Sequence, residues 1–134
     1  MQILVGTDVQ PIEEVETSMR RFGVRYTRRL FTDIELESCG ENPLTAASGL
    51  AGRFAAKEAV LKILDSQDTV PSWRSIEVQR AKVGRPEIVL RGEAAELARR
   101  QGIREMSLSL SHGGGVAFAT VVARVARRPS RTDR

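Results

Sequence analysis

Residues Arg53 to Lys62 read RFAAKEAVLK, and the way this stretch winds decides how the rest of the chain is read. At about 3.6 residues per turn, Ala55, Ala56, Ala59, Val60, Ile63 and Leu64 form a broad apolar arc, the stripe by which a helix packs on a core. Lys57, Glu58 and Lys62 fall on the opposite arc, with Phe54 and Leu61 among them. Two cations and a carboxylate interleaved with apolar residues suit an anionic ligand that lies against the helix and holds a metal. A Glu58–Lys62 surface pair at i,i+4, contributing about 0.3–0.5 kcal/mol, fits the same residues. The segment by itself leaves both readings open.

Working outward, the alanine- and leucine-rich run from Asn42 to Leu64 is the longest expected helix. Thr32 followed by Glu35 is a capping-box pattern that predicts a short helix ending near Gly40. Pro11 suits the first turn of a helix that runs to Phe22 and stops at Gly23. Residues 2 to 10 contain Ile3, Leu4, Val5 and Val9 and read as a strand buried on both faces. Downstream, Asp65 to Ser72 is polar and reads as a loop. The period then changes to two, with a strand around Ile76-Glu77-Val78, a turn at Gly84-Arg85-Pro86 and a short strand from Glu87 to Arg91. A helix over Glu93 to Arg100 is stopped by Gly102. Met106, Leu108 and Leu110 alternate with Ser107, Ser109 and Ser111, predicting a half-buried strand with one serine-lined face. Gly113-Gly114-Gly115 turns this strand into a last one, Val116 to Ala123. Strand, helices, strands, helix and hairpin in that order predict an α+β class, with one domain over residues 1–124 and a basic, fraying tail over 125–134.

Composition narrows the function classes. The 134 residues suffice for one domain with its own core, and no apolar run approaches the roughly 20 residues that cross a bilayer. The N-terminus lacks a basic n-region and cleavage site. Cys39 is the only cysteine, which excludes an intrachain disulfide or a multi-cysteine metal site; a reducing cytoplasm is the expected location. Net charge is +4, with 18 arginines and three lysines. Arg20, Arg21, Arg25, Arg28 and Arg29 cluster near the first helix, where they can dock an acidic protein or nucleic acid or simply form a solvated face. An aromatic content of 4% leaves few platforms for base stacking, which argues against a single-strand-binding module.

Two further constellations can carry chemistry. Asp8 stands at the end of an apolar strand just after Gly6, whose missing Cβ permits close approach of other groups. A carboxylate bordering a core is costly unless paired or metal-bound; Asp8 suits a helix N-cap before Pro11 or, with Glu58, a magnesium site completed by substrate phosphates. Ser109-Leu110-Ser111-His112 contains the only histidine. Neighbouring strand residues point to opposite faces and no G-x-S-x-G elbow exists, which argues against a serine hydrolase. Hydroxyls, imidazole and the amides of the glycine turn can donate to phosphate, although a flexible hairpin explains them equally.

Taken together, these pieces resemble the 4′-phosphopantetheinyl transferases, of the short holo-acyl-carrier-protein synthase type. The matches occur in the family's order: Gly6-Thr7-Asp8-Val9, then Phe31-Thr32-Asp33-Ile34-Glu35, then RFAAKEAVLK, then Ser109-Leu110-Ser111-His112, with Gly84-Arg85-Pro86 as the family's intervening basic turn. The match spans Ile3 to about Val122. The resemblance implies the family's fold, an antiparallel sheet packed against a long helix. It implies transfer of 4′-phosphopantetheine from coenzyme A to a serine of an acidic apo acyl carrier protein of fatty-acid or polyketide synthesis, releasing 3′,5′-ADP. It implies Mg2+ held by Asp8 and Glu58, with Lys62 on the leaving phosphate. Arg53, Lys57, Gly84, Arg85, Pro86, Ser111 and His112 are the remaining expected coenzyme A contacts, and Asp8, Glu58 and Lys62 the catalytic set. The family's usual homotrimer, with sites between subunits, is expected as well.

Two departures bear on docking. Glu14 stands where the family commonly carries a basic residue that meets the carrier, and Gly113 to Gly115 replaces a threonine and polar residues after His112. A basic nucleic-acid-binding module, or a coenzyme-A-binding homologue without transferase activity, are the rival readings.

Overall fold

The computed structural model describes residues 1–66, 69–80 and 84–126. Its elements are β1 (Gln2–Pro11), α1 (Ile12–Phe22), α2 (Val24–Leu30), α3 (Asp33–Cys39), α4 (Pro43–Ile63), a 3-10 turn (Trp73–Ser75), β2 (Ile76–Arg80), β3 (Pro86–Leu90), α5 (Gly92–Gln101), β4 (Ile103–Gly113) and β5 (Val116–Val125). β1, β5 and β4 form a three-stranded antiparallel sheet in that order, and β2–β3 form a separate two-stranded ribbon. This is the expected α+β arrangement. The expected tail from 125 to 134 begins with Val125 as the last residue of β5; residues 127–134 lie outside the described residues.

Helix α4 is the axis of the molecule. Asn42 caps it by accepting from the Leu44 N–H at 2.9 Å, and Pro43 occupies its first turn. One side of its C-terminal half packs on the sheet, where Ala55, Ala59, Val60 and Ile63 meet Leu108, Ala119 and Val121. Its N-terminal half packs with Leu50 and Ala51 against Val15 and Met19 of α1, and against Phe31 and Leu36. The helix is therefore enclosed around most of its circumference, not along one arc. Arg53 and Lys57 are buried with the alanines, which corrects the placement of Lys57 on an outer arc.

Among the described residues the sheet carries helices on one face only. Leu4, Gly6 and Asp8 share that face with their cross-strand partners Ala123, Val121 and Ala119, and with Met106, Leu108 and Leu110 of β4. Ile3, Val5 and Val9 point the other way and are 52%, 62% and 49% exposed, so β1 is not buried on both faces as its apolar run suggested. The serine-lined face of β4 lies on this same open side, with Ser107 beside Val122 and Ser111 beside Phe118.

The capping box is present. Thr32 Oγ1 accepts from the Glu35 N–H at 3.3 Å, and Glu35 Oε1 accepts from the Thr32 N–H at 2.9 Å. The α2 helix had no sequence-based expectation; it follows Gly23, whose φ of 56° ends α1 and redirects the chain. Tyr26 of α2 meets the Phe31 ring edge-on at 6.3 Å. Burial, and then the charge of Glu14, push its phenol up to about 12. Since Tyr26 is the only tyrosine, the ultraviolet signal of phenolate in an alkaline titration is expected to rise about two units above the ordinary midpoint of about 10. Stability would be retained below the unfolded value and lost as pH climbs through the folded one. A midpoint at the ordinary value would contradict the docking of α2.

Candidate active site

Strand β1 lies so close to α4 that a Cβ on Gly6 would run into the carbonyl oxygen of Ala59. That contact brings the strand end carrying Asp8 onto the helix turn carrying Glu58 and Lys62. Lys62 Nζ donates to Asp8 Oδ1 at 3.1 Å and to the Thr7 carbonyl at 2.7 Å, so it bridges to the strand and does not form an i,i+4 pair with Glu58. Asp8 is thus not an N-cap: Pro11 precedes α1 and no side chain caps that helix. Glu58 is half-buried. Burial, then the nearby Asp8 charge, raise its carboxyl above the ordinary value, and Lys62 offsets this in part. Two carboxylates thus lie near enough to feel each other's charge, with one ammonium, bonded to Asp8, to offset them.

This donor set fits a hard divalent cation. Magnesium is held through one or two carboxylates while keeping waters and substrate phosphate oxygens. Among the described residues no cluster of three or more His, Cys, Asp or Glu side chains exists, so no all-protein metal cage competes with that arrangement.

A second feature lies further along α4. A cavity of about 840 Å³ opens between the helix, the β2–β3 ribbon and β4. Its lining includes Arg53, Arg80, Gly84, Arg85 and Pro86, together with Ser107 and Ser109. Arg53 is 6% exposed; it donates to the Gly49 carbonyl at 3.3 Å and to Ser38 Oγ at 3.0 Å, while its Nε has no partner. A buried guanidinium N–H left open beside a cavity with two further arginines marks the place for an anionic group.

Of the expected site residues, the structure therefore brings Asp8, Glu58 and Lys62 together, and Arg53 with Gly84, Arg85 and Pro86. Ser111 and His112 are exposed near the hairpin turn, in register with Phe118 and Ala117, and are not among the cavity's lining residues. Lys57 reaches neither place. Its ammonium is fully buried and donates to Glu35 Oε1 at 2.8 Å, to the Trp73 carbonyl at 3.0 Å and to the Ile76 carbonyl. These contacts use its three donors inside the chain. Burial lowers the Lys57 ammonium below its ordinary value, against the pull of Glu35. Glu35 carried the signal of a helix cap and a place in the Phe31–Glu35 motif, and neither marks it as the partner of a lysine on another helix. Arg80 and the β4 residues around Ser107 join the cavity through tertiary packing that has no sequence signature.

Comparison with known proteins agrees with this geometry. The family model of the 4′-phosphopantetheinyl transferase superfamily matches residues 4–120. The holo-[acyl-carrier-protein] synthase of Moorella thermoacetica is 42% identical over 120 residues, covering 90% of this chain and 91% of the relative. Among solved structures, the ACPS–CoA complex of Chronobacterium ammoniagenes superposes with a TM-score of 0.80 at 30% identity, over 95% of this chain and all (100%) of that one. The Helicobacter pylori holo-[acyl-carrier-protein] synthase in complex with coenzyme A does so with a TM-score of 0.74 at 28% identity, over 90% and 100%. With the family match, the relatives and the fold all agreeing, the chain belongs to the 4′-phosphopantetheinyl transferase superfamily, as a transferase of the holo-acyl-carrier-protein synthase type.

Proposed function

We propose that this protein transfers 4′-phosphopantetheine from coenzyme A to a serine of an acidic apo acyl carrier protein, with Mg2+ bound by Asp8 and Glu58. The observation that carries the proposal is the meeting of β1 with α4, which sets Asp8 on Lys62 and brings its charge within reach of the Glu58 carboxyl. Bound there, magnesium would neutralise charge on the pyrophosphate oxygens as the phosphoanhydride breaks. The carrier serine oxygen attacks the phosphorus that bears pantetheine. The bond from that phosphorus to the bridging oxygen breaks, the serine proton is released, and 3′,5′-ADP leaves with the bridging oxygen. Lys62, exposed and one turn beyond Glu58, supplies positive charge to the leaving phosphate. The nucleotide end lies in the cavity, with Arg53, Arg85 and the Gly84–Pro86 turn against its adenosine and 3′-phosphate.

The homotrimer with sites between subunits belongs to the same proposal. Val5, Val9, Phe118 and Val122 form an apolar strip on the sheet that is open among the described residues. A second copy packed there leaves Ser111 and His112 available to a shared site. Val122→Glu is expected to shift the solution mass, read by light scattering, from trimer towards monomer and to lower activity with it. An unchanged mass would count against this face as the interface. No helix among the described residues is long and apolar enough to cross a membrane, and a cytoplasmic setting with the lone Cys39 reduced completes the picture.

The test of the whole is direct. Apo carrier protein, coenzyme A, Mg2+ and this protein are incubated and the carrier is weighed by mass spectrometry. A gain of one phosphopantetheine is expected, and chelation of the metal should abolish it. No mass gain on any acidic carrier would overturn the transferase proposal.

A further inference from the structure

The most deeply buried polar cluster of the molecule, Lys57 with Glu35, takes no part in the chemistry described above, yet it sits between both halves of the site. On α4, Lys57 lies one turn after Arg53 of the cavity and immediately before Glu58 of the carboxylate pair. Its ammonium is tied to three other parts of the chain: Glu35 of α3, the Trp73 carbonyl in the 3-10 turn, and the Ile76 carbonyl that opens β2. Glu35 is saturated in turn. Oε1 accepts from the Thr32 N–H and from Lys57, and Oε2 accepts from the Val78 N–H at 2.9 Å. Both side chains are 0% exposed.

Val78 is where this network touches the cavity. Val78, Gln79 and Arg80 of β2 line it, as does Pro86, the cross-strand partner of Arg80 at the start of β3. The ribbon belongs to a sheet of its own, with no strand pairing to β1, β5 or β4 among the described residues. Main-chain ladders therefore do not fix the ribbon's distance from α4. Apolar packing of Ile76 and Val78 holds it, but such contacts are non-directional. Directional fixing comes from three hydrogen bonds that reach Trp73 O, Ile76 O and Val78 N–H, beside one between the Thr32 hydroxyl and Glu77 of β2. The three that reach the ribbon's main chain and the turn before it run through Lys57 or Glu35.

We infer that Lys57 and Glu35 are a positioning pair that sets the β2–β3 ribbon against α4, and so sets the width of the nucleotide cavity relative to the metal-binding carboxylates. This rests on the proposed coenzyme A site. Its consequence is specific: loosening the pair misplaces the wall that grips the nucleotide, whereas Asp8, Glu58 and Lys62 keep the registration that the Gly6–Ala59 contact imposes. The effect falls on coenzyme A binding, and carrier recognition is untouched.

The test uses Glu35→Gln with Lys57→Met, which removes both charges together at nearly constant shape and so orphans neither in the core. KM for coenzyme A, KM for apo carrier, kcat, and calorimetric binding of 3′,5′-ADP are measured on the full chain, with thermal unfolding alongside. KM for coenzyme A and the Kd of 3′,5′-ADP are expected to rise roughly ten- to a hundredfold, the effect of misplacing a binding group by about an ångström. KM for carrier should stay at its wild-type value. If the double variant does not fold, Glu35→Gln alone keeps one acceptor and should give a smaller shift in the same direction. A variant with a lowered melting temperature but unchanged nucleotide affinity would reduce the pair to a purely structural role. Wild-type protein that binds neither coenzyme A nor 3′,5′-ADP would instead overturn the coenzyme A site, and the positioning inference with it.

Discussion

Glu58→Gln is expected to lose carrier modification by at least about a thousandfold while the protein unfolds at an equal or higher temperature. The loss follows from removing one of two anionic ligands for magnesium. A Lewis-acidic ion at phosphoryl oxygens supplies several kcal/mol of transition-state stabilisation, and every ~1.36 kcal/mol is tenfold in rate. The gain in stability follows from the opposite side of the same environment. Burial first, and Asp8 second, raise the Glu58 carboxyl in the folded chain. A carboxyl raised in this way favours the fold when protonated, and that contribution is lost as pH rises from the unfolded value through the folded one. A neutral amide of the same shape stays on the favourable side at every pH. Activity and melting temperature should therefore move in opposite directions, as expected where a site is kept at the expense of stability. Steady-state assay and calorimetry on the same preparation check both. Retained magnesium-dependent turnover would remove Glu58 from the metal site.

Lys57→Ala should be the most damaging single substitution for folding. It deletes a fully buried ammonium and leaves the Glu35 carboxylate in the core without its cation. It also leaves the Trp73 and Ile76 carbonyls without their donor. Breaking one side of a buried pair costs about 3–5 kcal/mol, a large part of the roughly 5–15 kcal/mol that holds a domain together. Trp73, the only tryptophan, packs against Phe54 at 5.0 Å and reports unfolding by its fluorescence in urea. A loss below about 1 kcal/mol, the range of exposed pairs, would show that the pair contributes as a surface bridge does. The contrast with the double neutral variant is the informative part, because an orphaned charge and an absent pair are different states.

Much of this molecule is legible where local rules act alone. Thr32 and Glu35 announce α3 because a capping box is a contact between residues three apart. The Met-Leu-Leu alternation with serines in β4 reveals a two-faced strand because the pleat has a period of two. Gly102 ends α5 in the left-handed region, as a glycine after a last turn of arginines suggests. What was not legible depends on what lies across from a residue. The run Ile3 to Val9 looks buried on both sides, and only the topology shows that one side of the sheet has no cover among the described residues. Val24 to Leu30 carries no capping side chain, so nothing in its sequence announces α2. Lys57 looked like part of a charged outer arc because lysines are almost never fully buried unless paired, and its partner stands 22 residues away. In the site, Asp8 and Glu58, and likewise Arg53 and Arg85 of the cavity, could be joined through the motifs they share with a family; Arg80 needed the fold.

The contact of Gly6 with the Ala59 carbonyl has a bearing on how the protein can change over time. The spacing between the strand and the helix is limited at Gly6 by main chain meeting main chain, with the Ile63 side chain packed alongside. Side chains elsewhere in the core can therefore be exchanged, enlarged or trimmed while the two carboxylates keep their separation. Such a scaffold tolerates drift in its interior without retuning its chemistry, and it concentrates the intolerance in one hydrogen atom: the one that stands at Gly6 in place of a methyl group.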